Sequence, residues 1–261
     1  MKKRVPALPV FSGVFLGIIL SAFLCSPDLL PAREPLRLSV LHINDTHSHL
    51  EATMRTLRIE GDRTGISLGG FPQLASALAE LRSETGNRLF LHGGDAVQGS
   101  LYFNAYRGEA DFRFLNLLGV DAMTLGNHEF DKGPEVLARM IEEAGFPVLS
   151  ANTRFPKGSR LAERVIPYAI KDYGEDRVGI VGITTPDTPI ISKPGSSVVF
   201  QEVLPAVRRA VRGLEERGID KIIVLSHIGY NKDIQLAREV RGIDVIVGGH
   251  TIPCWAVRRS W

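Results

Sequence analysis

The chain has 261 residues, of which 44% are hydrophobic and 23% are charged, enough for one large globular domain or two small ones. Thirty-one lysines and arginines against 29 aspartates and glutamates leave a net charge of +2, so no basic field indicates a nucleic acid polymer as partner. The basic cluster Arg208, Arg209, Arg212 and Arg217 is interpreted as the solvated face of a helix.

The N-terminal stretch predicts an export signal. Basic residues precede an apolar run from Val10 to Leu24, which has the length of the h-region of a secretory signal rather than of a full membrane span. We expect residues 1–26 to be a signal peptide and the protein to be periplasmic or in the cell envelope. An uncleaved signal anchor is the alternative, and only then would the chain contact a membrane. Cleavage would leave Cys254 as the single cysteine, which excludes an intrachain disulfide.

From Leu36 onward, short β-branched or leucine-rich runs alternate with segments of helical periodicity, which predicts an α/β domain over residues 36–251. The candidate strands, in chain order, are LRLSVLHI, RLFLH, DAMTL, PVLSA, VGIVGI, KIIVLS and DVIVG. The candidate helices are Gly70 to Glu84, Asp111 to Leu118, Pro134 to Ala144, Val203 to Arg217 and Asp233 to Val240.

Polar side chains follow five of these strands. They are Asp45 and His47 in LHINDTHSHLE, Asp95 in RLFLHGGDAVQG, Asn127 and His128 in DAMTLGNHEFD, His227 in KIIVLSHIGY, and His250 in DVIVGGHT. Ligands of open α/β sheets collect outside the carboxyl ends of the strands. The sequence therefore predicts one shared site at that edge.

The residue types at these positions favour metal chemistry. Aspartate, histidine and asparagine are oxygen and nitrogen donors for hard or borderline divalent ions, and no thiolate favours a closed structural zinc site. Asp45 and His47 offer two donors on one loop. Asp95 follows a glycine pair that permits close backbone approach, and its two oxygens can bridge two ions. Two such ions can clamp a phosphoryl group and lower the pKa of a water molecule.

A single histidine at a strand end is more often a hydrogen-bonded structural residue than a ligand, but five polar strand endings together are harder to explain in that way. We assign His42, His49 and His92 to the structural class, because they lie inside a strand pattern, past the ligand loop and before the glycine pair, respectively. Asn44 is interpreted as a turn residue or as a support for a ligand.

The blocks NDTHSH, GGDAVQG, GNHEFD, SHIG and GGHT, in this order and spacing, resemble the calcineurin-like metallophosphoesterases. LYFNAYRGEADFRFLNLLGVDAMTLGNHEFDKG and VGIVGITTPDT resemble, more narrowly, the exported bacterial 5'-nucleotidase, 2',3'-cyclic phosphodiesterase and UDP-sugar hydrolase group. The resemblance covers Leu38 to Thr251. It implies a four-layer α-β-β-α sandwich and two divalent ions, such as zinc or manganese. It also implies hydrolysis of a small phosphate ester, such as a 5'-nucleotide, by a metal-activated water.

The resemblance also implies a role for each candidate residue. Asp45 and His47 would hold one metal, Asp95 would bridge, and Asn127, His227 and His250 would hold the second metal. His128 resembles the family's histidine that is not a ligand, which stabilises the transition state and can protonate the leaving oxygen, and Asp131 resembles its orienting partner. No covalent enzyme intermediate is expected.

The last block departs from the family pattern, which reads Gly-Gly-His-x followed by His, Asn or Gln and so completes the first metal site. Ile252 stands at that position, and an aliphatic side chain has no lone pair to donate. With suitable codons, one base restored after the Thr251 codon turns residues 251–257 into Thr-His-Thr-Leu-Leu-Gly-Gly. We therefore interpret residues 252–261 as a frameshifted tail and expect the family's C-terminal nucleotidase domain to be absent. A genuine terminus is the alternative.

Two other functions stay open. One is the thiosulfohydrolase of sulfur oxidation, which shares the two-metal scaffold and the periplasmic location. The other is an inactive remnant that binds metal without turnover. A first metal site with three of four donors would bind its ion weakly, because affinity depends on ligand count and geometry.

Overall fold

The computed structural model describes residues 34–83 and 86–251, so the predicted signal segment 1–26 and the tail 252–261 both lie outside the described residues. The elements of the first half are β1 (Leu38–Ile43), β2 (Thr53–Ile59), β3 (Asp62–Leu68), α1 (Phe71–Ser83), β4 (Asn87–His92), α2 (Leu101–Tyr106), α3 (Glu109–Leu118), β5 (Ala122–Thr124), a 3-10 turn (His128–Phe130) and α4 (Pro134–Glu143). Those of the second half are β6 (Val148–Leu149), β7 (Thr153–Arg154), α5 (Arg160–Arg164), β8 (Val165–Ile166), β9 (Tyr168–Tyr173), β10 (Asp176–Thr184), α6 (Thr188–Ile191), β11 (Val199–Phe200), α7 (Val203–Glu215), β12 (Lys221–His227), α8 (Tyr230–Glu239) and β13 (Val245–Gly248).

Two sheets form the centre of the fold. The first is parallel throughout, in the order β1-β4-β5-β6-β8. The second has the order β13-β12-β10-β9, in which only the β10–β9 pair is antiparallel. The seven predicted strands all lie in these two sheets, and the carboxyl ends of β1, β4, β5, β12 and β13 precede the polar blocks.

The alternation of side chains along each strand builds four layers, because successive residues of a strand point to opposite faces. On β4, Leu89 and Leu91 pack between the two sheets with Ile223 and Leu225 of β12. Phe90, between them on β4, instead packs with the core beneath α1, α3 and α4. The other face of the second sheet is covered by α7 and α8. The predicted α-β-β-α sandwich is therefore confirmed.

The predicted helices also form, with ends that differ from prediction by three residues at most. The helix predicted from Pro134 ends at Glu143, with Pro134 in its first turn. The four arginines of the basic cluster on and just after α7 are exposed, as the sequence predicts. Within residues 34–83 and 86–251, no helix is long and apolar enough to cross a membrane.

The strand assignment missed the antiparallel hairpin of β2 and β3. Nearly all of its residues are exposed, so no buried apolar run marks the strands. Its tight turn has positive φ at Glu60 (53°) and Gly61 (98°), which suits a two-residue hairpin connection. Along the chain, the hairpin comes directly after the loop that carries Asp45 and His47, and it belongs to neither of the two central sheets.

Candidate metal centre

The loops after β1 and β4 run side by side and continue the parallel pairing of these strands. The N–H of Gly93 donates to the carbonyl of Ile43 at 2.8 Å, and that of Asp45 donates to Gly94 at 3.0 Å. The N–H of His47 then donates to the carbonyl of Asp95 at 3.1 Å. The loops bearing Asp45, His47 and Asp95 are therefore fixed to each other by their backbones.

Four candidate site residues have backbone conformations that non-glycine residues rarely adopt. The φ angles of Asp45, His47, Asp95 and His250 are 49°, 46°, 54° and 74°. Such conformations cost free energy and persist where surrounding contacts enforce them, typically at functional sites. This local strain distinguishes the loops at the carboxyl edge from the strands that precede them.

Glycines make room for the close approach of these loops. A Cβ on Gly126 would lie 2.2 Å from Asp95 Oδ1, and one on Gly94 would lie 2.7 Å from His227 Nδ1. A Cβ on Gly249 would lie 2.6 Å from the carbonyl oxygen of Gly93. Because a Cβ cannot be accommodated at such distances, the glycines of GGD, GNH and GGH are required by packing around the polar side chains.

One group of possible metal ligands joins both sheets. Asp95, His227 and His250 each place one donor atom within 4.8 Å of the others. His227 is the last residue of β12 in the second sheet, and its Nδ1 donates to the carbonyl of Gly93 at 2.6 Å. That hydrogen bond leaves Nε2, 3.0 Å from Asp95 Oδ2, as the atom available to a cation.

A second group shares Asp95. His47, Asp95 and His128 also have donor atoms within 4.8 Å of one another. Asp45 lies beside this group, with Oδ1 3.6 Å from His47 Nε2, and its Oδ2 accepts the backbone N–H of His250 at 3.1 Å. Asp95 is therefore the residue at which the two groups meet.

Asn127 is buried next to Asp95. Its Oδ1 has no hydrogen-bond partner among the described residues. The adjacent N–H of His128 donates to Asp95 Oδ1 at 2.8 Å, which ties the Asn127 segment to the Asp95 loop. A buried amide oxygen without a partner is costly, and a cation ligated by this oxygen would remove that cost.

His128 is held by Asp131. Its Nδ1 lies 2.7 Å from Asp131 Oδ2, and its Nε2 lies 3.0 Å from the Gln98 amide nitrogen and 4.0 Å from Asp95 Oδ2. The hydrogen bond to Asp131 outweighs burial and raises the pKa of His128. The imidazole therefore holds a proton more readily than a free histidine, with Nε2 facing the group of donors.

The electrostatics of the centre fit a cation. Burial alone would raise the pKa of Asp45, but the nearby His47 imidazole and the hydrogen bond from Asn44 outweigh it and lower this pKa to about 2. Burial likewise opposes protonation of His227, yet the Asp95 carboxylate raises the pKa of His227 to about 9. Two ionised aspartates beside buried imidazole and amide donors are the set that a hard or borderline divalent metal requires. The residues present therefore fit a metal centre.

Glu129 was missed as a functional residue, although it stands within the GNHEFD block. It is completely buried, and its carboxylate accepts the backbone N–H groups of Asp95 (3.0 Å), Ala96 (2.7 Å) and Gly126 (2.7 Å). Burial, followed by the nearby Asp95 charge, raises the pKa of Glu129 to about 7. Glu129 thus fixes the backbones of the Asp95 and Gly126 loops to each other, a role that only the three-dimensional contacts reveal.

The histidines assigned to the structural class lie around the centre rather than in it. His92 is fully buried: its Nδ1 accepts the N–H of Gly94 at 3.2 Å, and burial lowers its pKa to about 3. Burial also lowers the pKa of His42. His49 is exposed. Asn44 donates to Asp45 Oδ2 at 2.5 Å, the supporting contact expected of it.

A groove of about 420 Å³ opens beside His128. Gln98 and Asp131 line it on the side of the imidazole, and Lys132 and Lys193 bring positive charge. Phe103 is buried at its wall and contacts Lys132 through a cation–π interaction at 5.6 Å. The groove is large enough for the organic part of a small ester.

The sandwich, the donor groups that meet at Asp95 and the Asp131-held histidine define a metallophosphoesterase. The family model of the calcineurin-like phosphoesterases matches residues 38–254, and the chain belongs to this family. A probable 5'-nucleotidase from Treponema pallidum is 42% identical over 215 residues, which are 82% of this chain and 36% of that protein. The crystal structure of a 5'-nucleotidase precursor from Thermus thermophilus has a TM-score of 0.76 and 44% identity, over 83% of this chain and 43% of that one.

The chain spans less than half the length of the curated relatives it matches. A sulfate thiohydrolase from Thermus thermophilus has a TM-score of 0.70 but 21% identity, over 84% of this chain and 48% of that one. That likeness shows the shared fold alone. The 5'-nucleotidases are therefore the nearer group of the two that the sequence indicates.

Proposed function

We propose that the chain supplies the metal-binding part of a phosphoric ester hydrolase that acts on 5'-nucleotides or related nucleotides. The observation that carries this proposal is that two groups of donor atoms share Asp95, one of them including His128, the histidine held by Asp131. The high similarity to 5'-nucleotidases supports the nucleotide as the substrate class.

Asp45 and His47 would hold one divalent ion, Asn127, His227 and His250 would hold a second, and Asp95 would bridge them. When bound, the ions supply positive charge that acidifies a water molecule and stabilises charge on the phosphoryl oxygens. This arrangement explains why Asn127 Oδ1 is buried without a hydrogen-bond partner in the described structure. It also explains the tautomer of His227, whose Nδ1–H is committed to Gly93 so that Nε2 is free to ligate.

The protein's own groups perform the remaining chemistry. His128 Nε2 faces the centre while Nδ1 is held by Asp131, so His128 can donate a proton to the leaving oxygen. The raised pKa of His128 means that the imidazole retains this proton more readily than a free histidine does. Glu129 fixes the backbone of Asp95 and Gly126, which keeps the bridging carboxylate in position.

The test is metal analysis of the purified chain together with hydrolysis of AMP and of p-nitrophenyl phosphate. With divalent metal supplied in excess, we expect two bound equivalents, release of phosphate from the aryl ester, and loss of turnover after chelation with recovery on adding metal. Metal binding without turnover of either ester would instead support the inactive remnant. Turnover of an S-sulfonate but of no phosphate ester would support the thiosulfohydrolase alternative.

We also propose that the protein is exported, on the basis of the basic and apolar pattern of residues 1–26. The Thermus relative is described as a precursor, which agrees with this proposal. Mass spectrometry of the protein from the cell envelope of its host would give the mature N-terminus. A start near residue 27 supports a cleaved signal, whereas an intact Met1 in the membrane fraction supports the anchor.

A further inference from the structure

The Asp131 carboxylate is held from two sides. Its Oδ2 is 2.7 Å from His128 Nδ1, and its Oδ1 accepts a hydrogen bond from Ser192 Oγ, also at 2.7 Å. The nitrogen–oxygen distance is at the short end of the range for its bond type, and the oxygen–oxygen distance is typical of a well-formed hydrogen bond. Ser192 is part-buried and is not among the residues that the sequence singles out.

Ser192 reaches Asp131 from a different part of the fold. It directly follows α6, which comes after β10 of the second sheet, whereas Asp131 and His128 follow β5 of the first sheet. The N–H of Ser192 donates to the carbonyl of Thr188 at 2.9 Å, so its backbone is fixed to the short helix. The Thr188 hydroxyl is buried and donates to the carbonyl of Thr185 at 2.7 Å.

The start of α6 is held as well. Asp187, the residue before the helix, accepts a hydrogen bond from Lys232 of α8 at 2.6 Å. The Ser192 hydroxyl is therefore presented by a segment with contacts at both of its ends, although the Asp187–Lys232 pair itself is about half exposed.

We propose that Ser192 is a positioning residue for the Asp131–His128 pair. A carboxylate with one hydrogen-bond partner can rotate about its Cβ–Cγ bond, whereas one with donors on both oxygens has a single preferred orientation. With Oδ1 occupied by the Ser192 hydroxyl, Oδ2 is directed at His128 Nδ1, which orients Nε2 toward the reacting ester. Protonated on both ring nitrogens, the imidazolium gives its Nε2 proton to the leaving oxygen and remains as the Nδ1–H tautomer bound to Asp131. This inference rests on the proposed function, in which His128 gives the proton to the leaving oxygen.

The decisive variant is Ser192→Ala, compared on phenyl phosphate and p-nitrophenyl phosphate. The first has a poor leaving group that needs a proton, and the second has a good one that needs it much less. We expect kcat on phenyl phosphate to fall about tenfold, as for loss of one hydrogen bond to a charged group. A smaller fall is expected on p-nitrophenyl phosphate, with KM and metal content unchanged on both.

Two further variants sharpen the comparison. Ser192→Thr keeps the hydroxyl and should restore most of the kcat, whereas Ser196→Ala removes an exposed serine from the same loop and should change nothing. An equal loss on both esters, or loss of bound metal, would mean that Ser192 merely supports the loop, and the inference would be wrong. Unchanged kinetics in Ser192→Ala would also overturn it.

A second measurement does not depend on turnover. Long-range ¹H–¹⁵N NMR reports the tautomer of His128, whose signals are assigned by their loss in His128→Gln. We expect the Nδ1–H tautomer in the wild type and a mixture in Ser192→Ala at the same pH. A single Nδ1–H tautomer in both proteins would reject the positioning role. If the wild type lacks both metal and hydrolysis, the proposed function fails, while the NMR result still decides the role of Ser192.

Discussion

The two halves of the centre are built in different ways. The open half, Asp45 and His47, comes from one loop, and the His47 side chain is 23% exposed. The closed half, Asn127, His227 and His250, comes from three separate segments at the ends of strands in both sheets, and the His227 side chain is completely buried. The open half therefore contains one candidate donor that solvent can reach, His47, whereas two of the three candidates in the closed half, Asn127 and His227, are buried and His250 is partly buried.

This difference predicts how the halves behave. The proposed ligands of the closed half are fixed by contacts between the sheets, such as the hydrogen bond from His227 Nδ1 to the Gly93 carbonyl. Asp45 and His47 of the open half instead share one loop, whose backbone donates hydrogen bonds to the Asp95 loop while the His47 side chain stays partly exposed. An ion in the open half should therefore exchange more readily than one in the closed half.

The largest effect is expected where the halves meet. Asp95→Asn should remove a charge shared by both donor groups and lower kcat by at least about 10⁴-fold, the scale seen when a catalytic unit is broken. Metal analysis should show loss of both ions while the fold is retained by circular dichroism. Retention of two ions in this variant would mean that Asp95 is not the bridge.

A matched pair separates the halves themselves. We expect His227→Asn to cost about 10³-fold in kcat and His47→Asn about 10²-fold, because the buried ligand has no solvent to replace it. Each variant should lose one equivalent of metal, and the ion that stays in His47→Asn should exchange slowly. His49→Asn, which alters an exposed histidine of the same loop as His47, is the control. Equal effects of the first two variants would contradict the division into halves.

The glycines between the halves offer a smaller test. In Gly126→Ala the new Cβ would lie 2.2 Å from Asp95 Oδ1, so Asp95 must shift, at an expected cost of about 1–3 kcal/mol in unfolding free energy. Activity should fall with it. Gly65→Ala on the exposed hairpin is the control, because its new Cβ would contact only Met54 Cε, at 3.9 Å. This control should change neither the stability, measured by thermal melts, nor the kcat, measured by steady-state kinetics. A Gly126→Ala protein as stable and active as the wild type would show that the loops are more adaptable than their packing indicates.

Substitution of Asp111, which lies near Ser48 just after the Asp45–His47 loop, is expected to have the smallest effect on turnover. This carboxyl is buried at the start of α3 near Ser48, and burial raises its pKa from 3.8 to about 7. At a pH between 3.8 and about 7, Asp111 has lost its proton in the unfolded chain but keeps it in the folded chain. Stability of the wild type therefore falls as pH rises through this window, by up to about 1.4 kcal/mol per pH unit.

Asp111→Asn removes this ionisation. The difference in unfolding free energy, variant minus wild type, should increase by about 2–4 kcal/mol between about pH 4 and pH 7. Above pH 7 this difference should stay constant. Urea unfolding at several pH values measures the difference directly. A difference that does not depend on pH would mean that Asp111 ionises normally in the folded protein.

Much of the molecule can be predicted from the sequence because its signals are local. A strand buried on both faces shows as an apolar run whatever its partner, so KIIVLS and RLFLH predicted β12 and β4. A helix with one apolar face shows its period, so α4 and α7 were predicted nearly to their ends. The polar residue after each strand was equally visible, and parallel strands bring such residues to one edge.

The tertiary structure decided what depends on contacts between distant segments. The hairpin of β2 and β3 has no buried face to mark it, and Glu129 resembles any acid in a turn until its carboxylate is seen to hold three backbone N–H groups of two loops. Ser192 lies 61 residues from Asp131 along the chain and meets it only because the two sheets pack together. A sequence pattern reports burial and period within one segment, whereas a hydrogen bond between segments is fixed by the packing of the sheets that carry them.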